Sequence, residues 1–289
     1  VLQFLPLPRH LLMKAPAFDY VRPRSLSEAV GLLAKGAGEA RVIAGGQSLL
    51  AMMNLRIAST GLLIDIARLP ELTSAADDDE SVTLGACITH AAIEDGRVPD
   101  PSRGLMPCAA ASLAYRAIRN RGTIGGSLAL ADPAAEWPAV LAALDADAVL
   151  CGPDHRRSLK CSDFATGIYE TRLADDEILV GIRIPRLSAD ARWGYLKLCR
   201  KSGEFANALA VAVADRARGH CRIVLGAANG APLMLAAASQ ALSEDPRDRA
   251  ALSTAVAADL DHAADRHFDD FQRNLLTVAA MRAVQQVAA

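Results

Sequence analysis

Arg41-Val42-Ile43-Ala44-Gly45-Gly46-Gln47-Ser48-Leu49-Leu50 is the stretch on which the reading of this chain turns. A short apolar strand, Arg41–Ala44, runs straight into a glycine pair, and Leu49–Arg56 beyond it has the composition of a helix of a turn or two. Glycine lets a backbone come close to a ligand and take positive φ. Successive N–H groups in such a turn form a concave nest for an anion. On the N-terminal side, Ser25-Leu26-Ser27-Glu28 is a capping box opening a helix over Glu28–Lys35 that stops at Gly36. On the C-terminal side, Leu62–Ile66 reads as a second strand. Helix and strand alternate, so the first unit is a small α/β layer.

A second unit opens after the acidic turn Asp77–Glu80. It predicts a strand at Val82–Gly85, a short helix capped by Thr89 and ending near Gly96, and a helix over Ala109–Asn120. Arg116 and Arg119 at the end of that helix suit the negative end of its dipole. A second glycine loop follows, Thr123-Ile124-Gly125-Gly126-Ser127, then a helix over Ala134–Leu144 and strands at Ala148–Leu150 and Ile178–Ile184, the last ended by Pro185. From Arg192 onward three strands, Tyr195–Cys199, Ala208–Ala214 and Cys221–Ala227, have short polar connections that predict an antiparallel meander. Helices over Leu235–Leu242, Arg247–Leu260 and Asp269–Val287 close the chain. The fold class expected is α+β: residues 14–187 in two subdomains, 14–70 and 71–187, then a C-terminal domain over 190–289 with a three-stranded antiparallel sheet and helices.

Composition narrows the function classes. The 289 residues are 52 % apolar with a formal net charge of −2, and Lys and Arg are scattered rather than clustered, so nothing points to nucleic acid. No apolar run reaches the roughly 18 residues of a membrane helix. Residues 1–13 lack a basic n-region and a cleavage site and read as an N-terminal extension. The six cysteines show no C-x-x-C pair and no local group of the kind that holds an iron–sulfur cluster. They read as free thiols in a reducing cytoplasm. His90, His155 and His262 stand alone and read as structural or solvent-facing, and no Ser-His-Asp or metal-ligand constellation is visible.

Neither glycine loop is G-x-G-x-x-G or a Walker sequence, so a Rossmann site is not supported. One such loop alone is more often a plain tight turn. With two of them, turn and nucleotide site stand level on spacing alone. The longer motifs add a resemblance. Ala44-Gly45-Gly46-Gln47-Ser48-Leu49-Leu50 with Met52-Met53-Asn54-Leu55-Arg56 resembles the first flavin loop of the FAD-binding medium subunit of the carbon monoxide dehydrogenase and xanthine dehydrogenase (molybdenum hydroxylase) family. Arg119–Ser127 followed by Ala131-Asp132-Pro133-Ala134-Ala135-Glu136 resembles its second loop. Asp176-Glu177-Ile178-Leu179 and Lys197–Ala206 follow in the family's order, and the resemblance covers Lys14–Ala289.

The resemblance implies a two-subdomain FAD module of the PCMH type followed by a C-terminal flavoprotein domain. It implies that Ala44, Gly45, Gly46, Gln47, Ser48 and Leu49, with Thr123, Ile124, Gly125, Gly126 and Ser127, hold the FAD pyrophosphate through backbone N–H groups. Glu136, where many relatives have Asp, falls at the position that meets the sugar or ribityl hydroxyls, and Asp132 is a second acidic candidate. Both are also plain helix-start carboxylates. Leu179 matches a residue that packs on the flavin and is equally strand core. Lys197 matches a lysine near the flavin, or is a solvated strand lysine. Phe205 stands where many bacterial relatives have a tyrosine beside the isoalloxazine ring, keeping the stacking face and losing the hydroxyl. No side chain need act as a general acid or base. The implied complex is a heterotrimer, often doubled, in which a large subunit carries a molybdenum cofactor and a small subunit two 2Fe–2S clusters. The FAD here passes electrons to an external acceptor. A stand-alone FAD oxidoreductase and a non-catalytic scaffold are the alternatives.

Overall fold

A computed structural model describes residues 14–289 of the chain; the reading of residues 1–13 as an extension lies outside the described residues. The first unit comprises β1 (Asp19–Val21), α1 (Leu26–Lys35), β2 (Ala40–Ile43), α2 (Leu49–Asn54), β3 (Leu62–Asp65) and α3 (Pro70–Thr73). Its three strands form a parallel sheet in the order β1-β3-β2. Half of the expected capping box is present: Ser25 Oγ accepts from Glu28 N, whereas Glu28 Oε2 accepts from Arg24 N, one residue before the cap, rather than from Ser25 N. One face of α1 buries Leu26, Ala29, Val30 and Leu33 against Ile64 and Ile66.

The second unit contains β4 (Ala75–Asp77), β5 (Ser81–Gly85), α4 (His90–Glu94), α5 (Leu105–Ser112), α6 (Arg116–Arg119), α7 (Ile124–Leu130), α8 (Glu136–Ala143), β6 (Asp147–Cys151), β7 (Arg156–Lys160), α9 (Cys161–Phe164), the short pair β8 (Ala165–Gly167) and β9 (Glu170–Thr171), and β10 (Ile178–Pro185). Five strands form an antiparallel sheet in the order β4-β5-β10-β6-β7, with β10 central. The edge strands are hard to read locally, because β4 is three exposed residues, Ala75, Ala76 and Asp77, and β7 is mostly exposed and polar, so neither shows an apolar alternation.

Two sequence expectations are corrected here. The helix expected over Ala109–Asn120 is broken between Ser112 and Arg116, with Ala114 at φ 35°. The arginines do not merely face a helix dipole. Arg119 pairs bidentately with Glu94 at 2.8 and 2.9 Å and donates to the Leu113 and Ala114 carbonyls at 2.8 and 3.0 Å, satisfying the carbonyls that the break frees. Arg116 is held by Glu94 and Asp95. Second, Gly125 and Gly126 are not in a loop. They form the first turn of α7, which is capped by Thr123 Oγ1 accepting from Gly126 N at 3.1 Å.

The last unit is β11 (Arg192–Leu198), β12 (Ala208–Asp215), β13 (His220–Gly226), β14 (Leu233–Met234), α10 (Ala236–Glu244), α11 (Arg249–His262) and α12 (Asp270–Ala288). The antiparallel meander is as expected, extended by the two-residue β14 into four strands. All eight residues of β12 are buried. Its alanines face α12, and Leu209, Val211 and Val213 face the second unit, where they join one core with Trp137, Leu141 and Phe164. That shared core carries the β11–β12 connection to the edge of the groove where the two glycine segments meet.

Candidate functional site

The two glycine segments, far apart in sequence, lie against each other in the fold. Gly45 meets the stretch just before Thr123. A Cβ on Gly45 would come within 2.1 Å of the Arg121 carbonyl oxygen and 2.9 Å of the Gly122 Cα. Only glycine permits that approach.

The two segments use glycine differently. Gly46 sits at φ +71° in a true turn. From Ala44 to Leu49, no backbone N–H has an acceptor among the described residues, while Gly46 O takes the Leu50 N–H and Gly45 O takes Gln47 Nε2 at 3.2 Å. A run of free donors of this kind can hold an anion. In α7 the N–H groups are already engaged: Ile124 with Ile88 O, Gly125 with Ala86 O at 2.9 Å, Gly126 with Thr123 Oγ1 and Ser127 with Thr123 O. The resemblance implies the same role for both segments, and their backbones differ. The second segment offers close approach and a helix start rather than a run of free N–H groups. A Cβ on Gly125 would lie 2.4 Å from that of Ala86.

Between the segments runs a cavity of about 770 Å³, within the range of small-molecule and cofactor sites. Of the residues singled out from sequence, Ala44, Gly45, Gly46, Gln47, Ser48, Leu49, Thr123, Gly125, Gly126, Ser127, Asp132, Glu136, Leu179 and Phe205 line it. Ile124 is fully buried in the core instead. Lys197 does not line the cavity either. It lies behind the wall, donating to Glu136 Oε1 at 2.6 Å and to the Ser112 carbonyl at 3.0 Å, with both charged side chains almost fully buried. Burial pushes the Glu136 carboxyl up, and Lys197 opposes that shift. Asp132 accepts from Ala134 N and from the Tyr169 hydroxyl. Phe205, 67 % exposed, stands on the β11–β12 connection.

Two lining residues carry no local sequence signal: His90, which is buried, and Tyr115, which is exposed; Gly203 and Glu177 also line the cavity and fall within stretches that carry the resemblance. Thr89 beside His90 bridges to Thr123, a long-range pairing that no local pattern announces. Glu177 is clamped by Arg157 at 2.6 and 2.7 Å and by His155 at 2.9 Å, and it accepts from Ala174 N. The Arg157 hydrogen bond leads in holding its carboxyl down to about 2.

A dinucleotide fits these features: free donors for a pyrophosphate, glycines where a Cβ would intrude, carboxylates for hydroxyls, and apolar walls. The comparisons agree. The family described as "FAD binding domain in molybdopterin dehydrogenase" matches residues 16–187. The chain belongs to this family. Within it, the chain is 39 % identical over 227 residues to the carbon monoxide dehydrogenase medium chain of Hydrogenophaga pseudoflava, covering 77 % of this chain and 78 % of that one. It is 38 % identical over 261 residues to the nicotine 6-hydroxylase medium subunit of Paenarthrobacter nicotinovorans, covering 88 % and 91 %. A solved carbon monoxide dehydrogenase from Hydrogenophaga pseudoflava, lacking the Mo-pyranopterin moiety of its molybdenum cofactor, superposes with a TM-score of 0.87 at 34 % identity, covering 94 % of this chain and 98 % of that one. This family member is therefore an FAD-binding oxidoreductase subunit.

Proposed function

We propose that this chain is the electron-transferring flavin subunit of a molybdenum-containing hydroxylase or dehydrogenase. In this reading a large subunit with a molybdenum cofactor oxidises the substrate, and a small subunit with two 2Fe–2S clusters relays the electrons. The three chains form a heterotrimer that pairs into a dimer, in the cytoplasm. Bound FAD supplies the redox chemistry, accepting electrons and passing them to an external acceptor. The residues of this chain bind and orient it. The free N–H run from Ala44 to Leu49 takes the pyrophosphate, and Gly125 and Gly126 let it lie close to α7. Asp132 and Glu136 meet sugar or ribityl hydroxyls. Leu179 packs on the flavin and Phe205 stands beside its ring. Lys197 acts through Glu136, fixing that carboxylate at the wall. In the domain division that goes with this reading, residues 14–187 form the flavin module and 190–289 the C-terminal domain.

The observation that carries the proposal is the run of free N–H groups at Gly45-Gly46 opening onto the cavity. The test is a spectrum of the purified chain with FAD, alone and with its partner subunits. Flavin absorbance at about one FAD per chain, bleached by the substrate of the large subunit only when the small subunit is present, is expected. Absence of FAD uptake even with both partners would overturn it.

A further inference from the structure

His90 begins α4, is 6 % exposed and lines the cavity. Its main-chain N–H donates to the Gly122 carbonyl at 2.9 Å. Its ring nitrogens are not equivalent. Nδ1 lies 3.0 Å from Trp137 Nε1. Indole N–H is a donor only, so Nδ1 accepts, and the proton of the neutral imidazole sits on Nε2. Burial, with a smaller contribution from Arg119, holds the ring down to about 4, so it is neutral at physiological pH. Trp137 is fully buried, which fixes the donor and with it the tautomer.

Nε2 has no hydrogen-bond partner among the described residues. The Nε2–Cδ2 edge lies against Gly122, where a Cβ would come within 2.8 Å of both atoms. Gly122 is also where the first glycine segment touches the second. Nε2 is not sealed from solvent, since His90 lines the cavity, so its N–H is free for an acceptor that arrives with a ligand.

We propose that His90 is a binding residue for the dinucleotide, its Nε2–H donating to a phosphate oxygen where the two glycine segments meet, with Trp137 as the positioning residue that sets the tautomer. The inference rests on the FAD reading of the cavity. A neutral donor suits this place because the phosphates gain a hydrogen bond without a buried cation having to be desolvated.

The test compares FAD affinity of the full chain, in its complex if the complex is needed for uptake, for wild type, His90→Gln and His90→Asn. The Gln amide reaches the Nε2 position. Asn keeps an acceptor toward Trp137 but falls short of the ligand. Asn is expected to weaken FAD by about tenfold or more, as for a lost hydrogen bond to a charged group, and Gln by less. In wild type labelled with ¹⁵N-histidine, the Nε2–H signal is expected to move downfield on FAD addition and to couple to phosphorus. Unchanged affinity in Asn with no movement of that signal would overturn the proposal and leave the FAD reading standing. Movement without phosphorus coupling would transfer the contact to a sugar hydroxyl and overturn the phosphate assignment. No FAD uptake by wild type with its partners would overturn both. If the variants do not fold, the wild-type spectrum alone decides.

Discussion

Among single residues, the glycines of the two segments do different work, and substitution separates them. Gly46 occupies the left-handed region, which strains any L side chain by roughly 1–2 kcal/mol, and a Cβ there would touch Leu50 and Ile43 at 3.0 and 3.3 Å. Gly46→Val is expected to lose FAD while keeping most of its thermal stability, read by flavin absorbance and circular dichroism. Thr123 caps α7 through Gly126 N. Thr123→Ala is expected to lower stability by about 1 kcal/mol, measured by urea unfolding, with Thr123→Ser restoring most of it.

Between elements, two polar clusters fix the cavity wall. The Lys197–Glu136 pair joins β11 to α8 out of contact with bulk water. Removing one partner of a buried pair costs about 3–5 kcal/mol, whereas replacing both with apolar groups can be neutral. Lys197→Met is therefore expected to destabilise strongly, and Lys197→Met with Glu136→Leu to regain much of the loss, in a double-mutant cycle of unfolding free energies. Glu177 fastens the segment before β10 to β7 through Arg157. Its carboxyl is held below the ordinary value of 4.5, at about 2. The stabilisation it gives is full above the unfolded pKa and is lost as pH falls through the folded one. Acid unfolding of wild type is expected to draw on this group between about pH 4.5 and 2. Glu177→Gln should flatten the stability curve there.

Across the molecule, the second and third units share one core, in which Trp137 and Phe164 meet Leu209, Val211 and Val213. The parallel sheet of the first unit packs on smaller clusters. Amide exchange is expected to be slowest in β12, buried along its whole length, and faster in the exposed edge strand β1. Exchange that is equally fast in both would contradict the shared core. α12 is seated on β11 and β12 so closely that a Cβ on Gly194 would come within 1.9 Å of the Ala283 carbonyl oxygen.

Local sequence was enough for most of the element order, the N-cap at Ser25, the meander of β11 to β13 and the family, because these rest on periodicity, caps and contiguous motifs. Most of the residues it singled out also line the cavity. It did not reveal the break after Ser112, since that depends on Arg119 reaching Glu94 and the freed carbonyls. The helical start at Gly125-Gly126 was hidden for a similar reason: Gly125 is seated by Ala86, and its N–H is taken by that distant carbonyl. Tertiary structure alone turned Lys197 away from the cavity onto Glu136 and brought His90, 47 positions before Trp137, under the glycine junction. Such pairings are decided by which groups burial leaves without water, and a buried donor or charge must then find its partner across the fold.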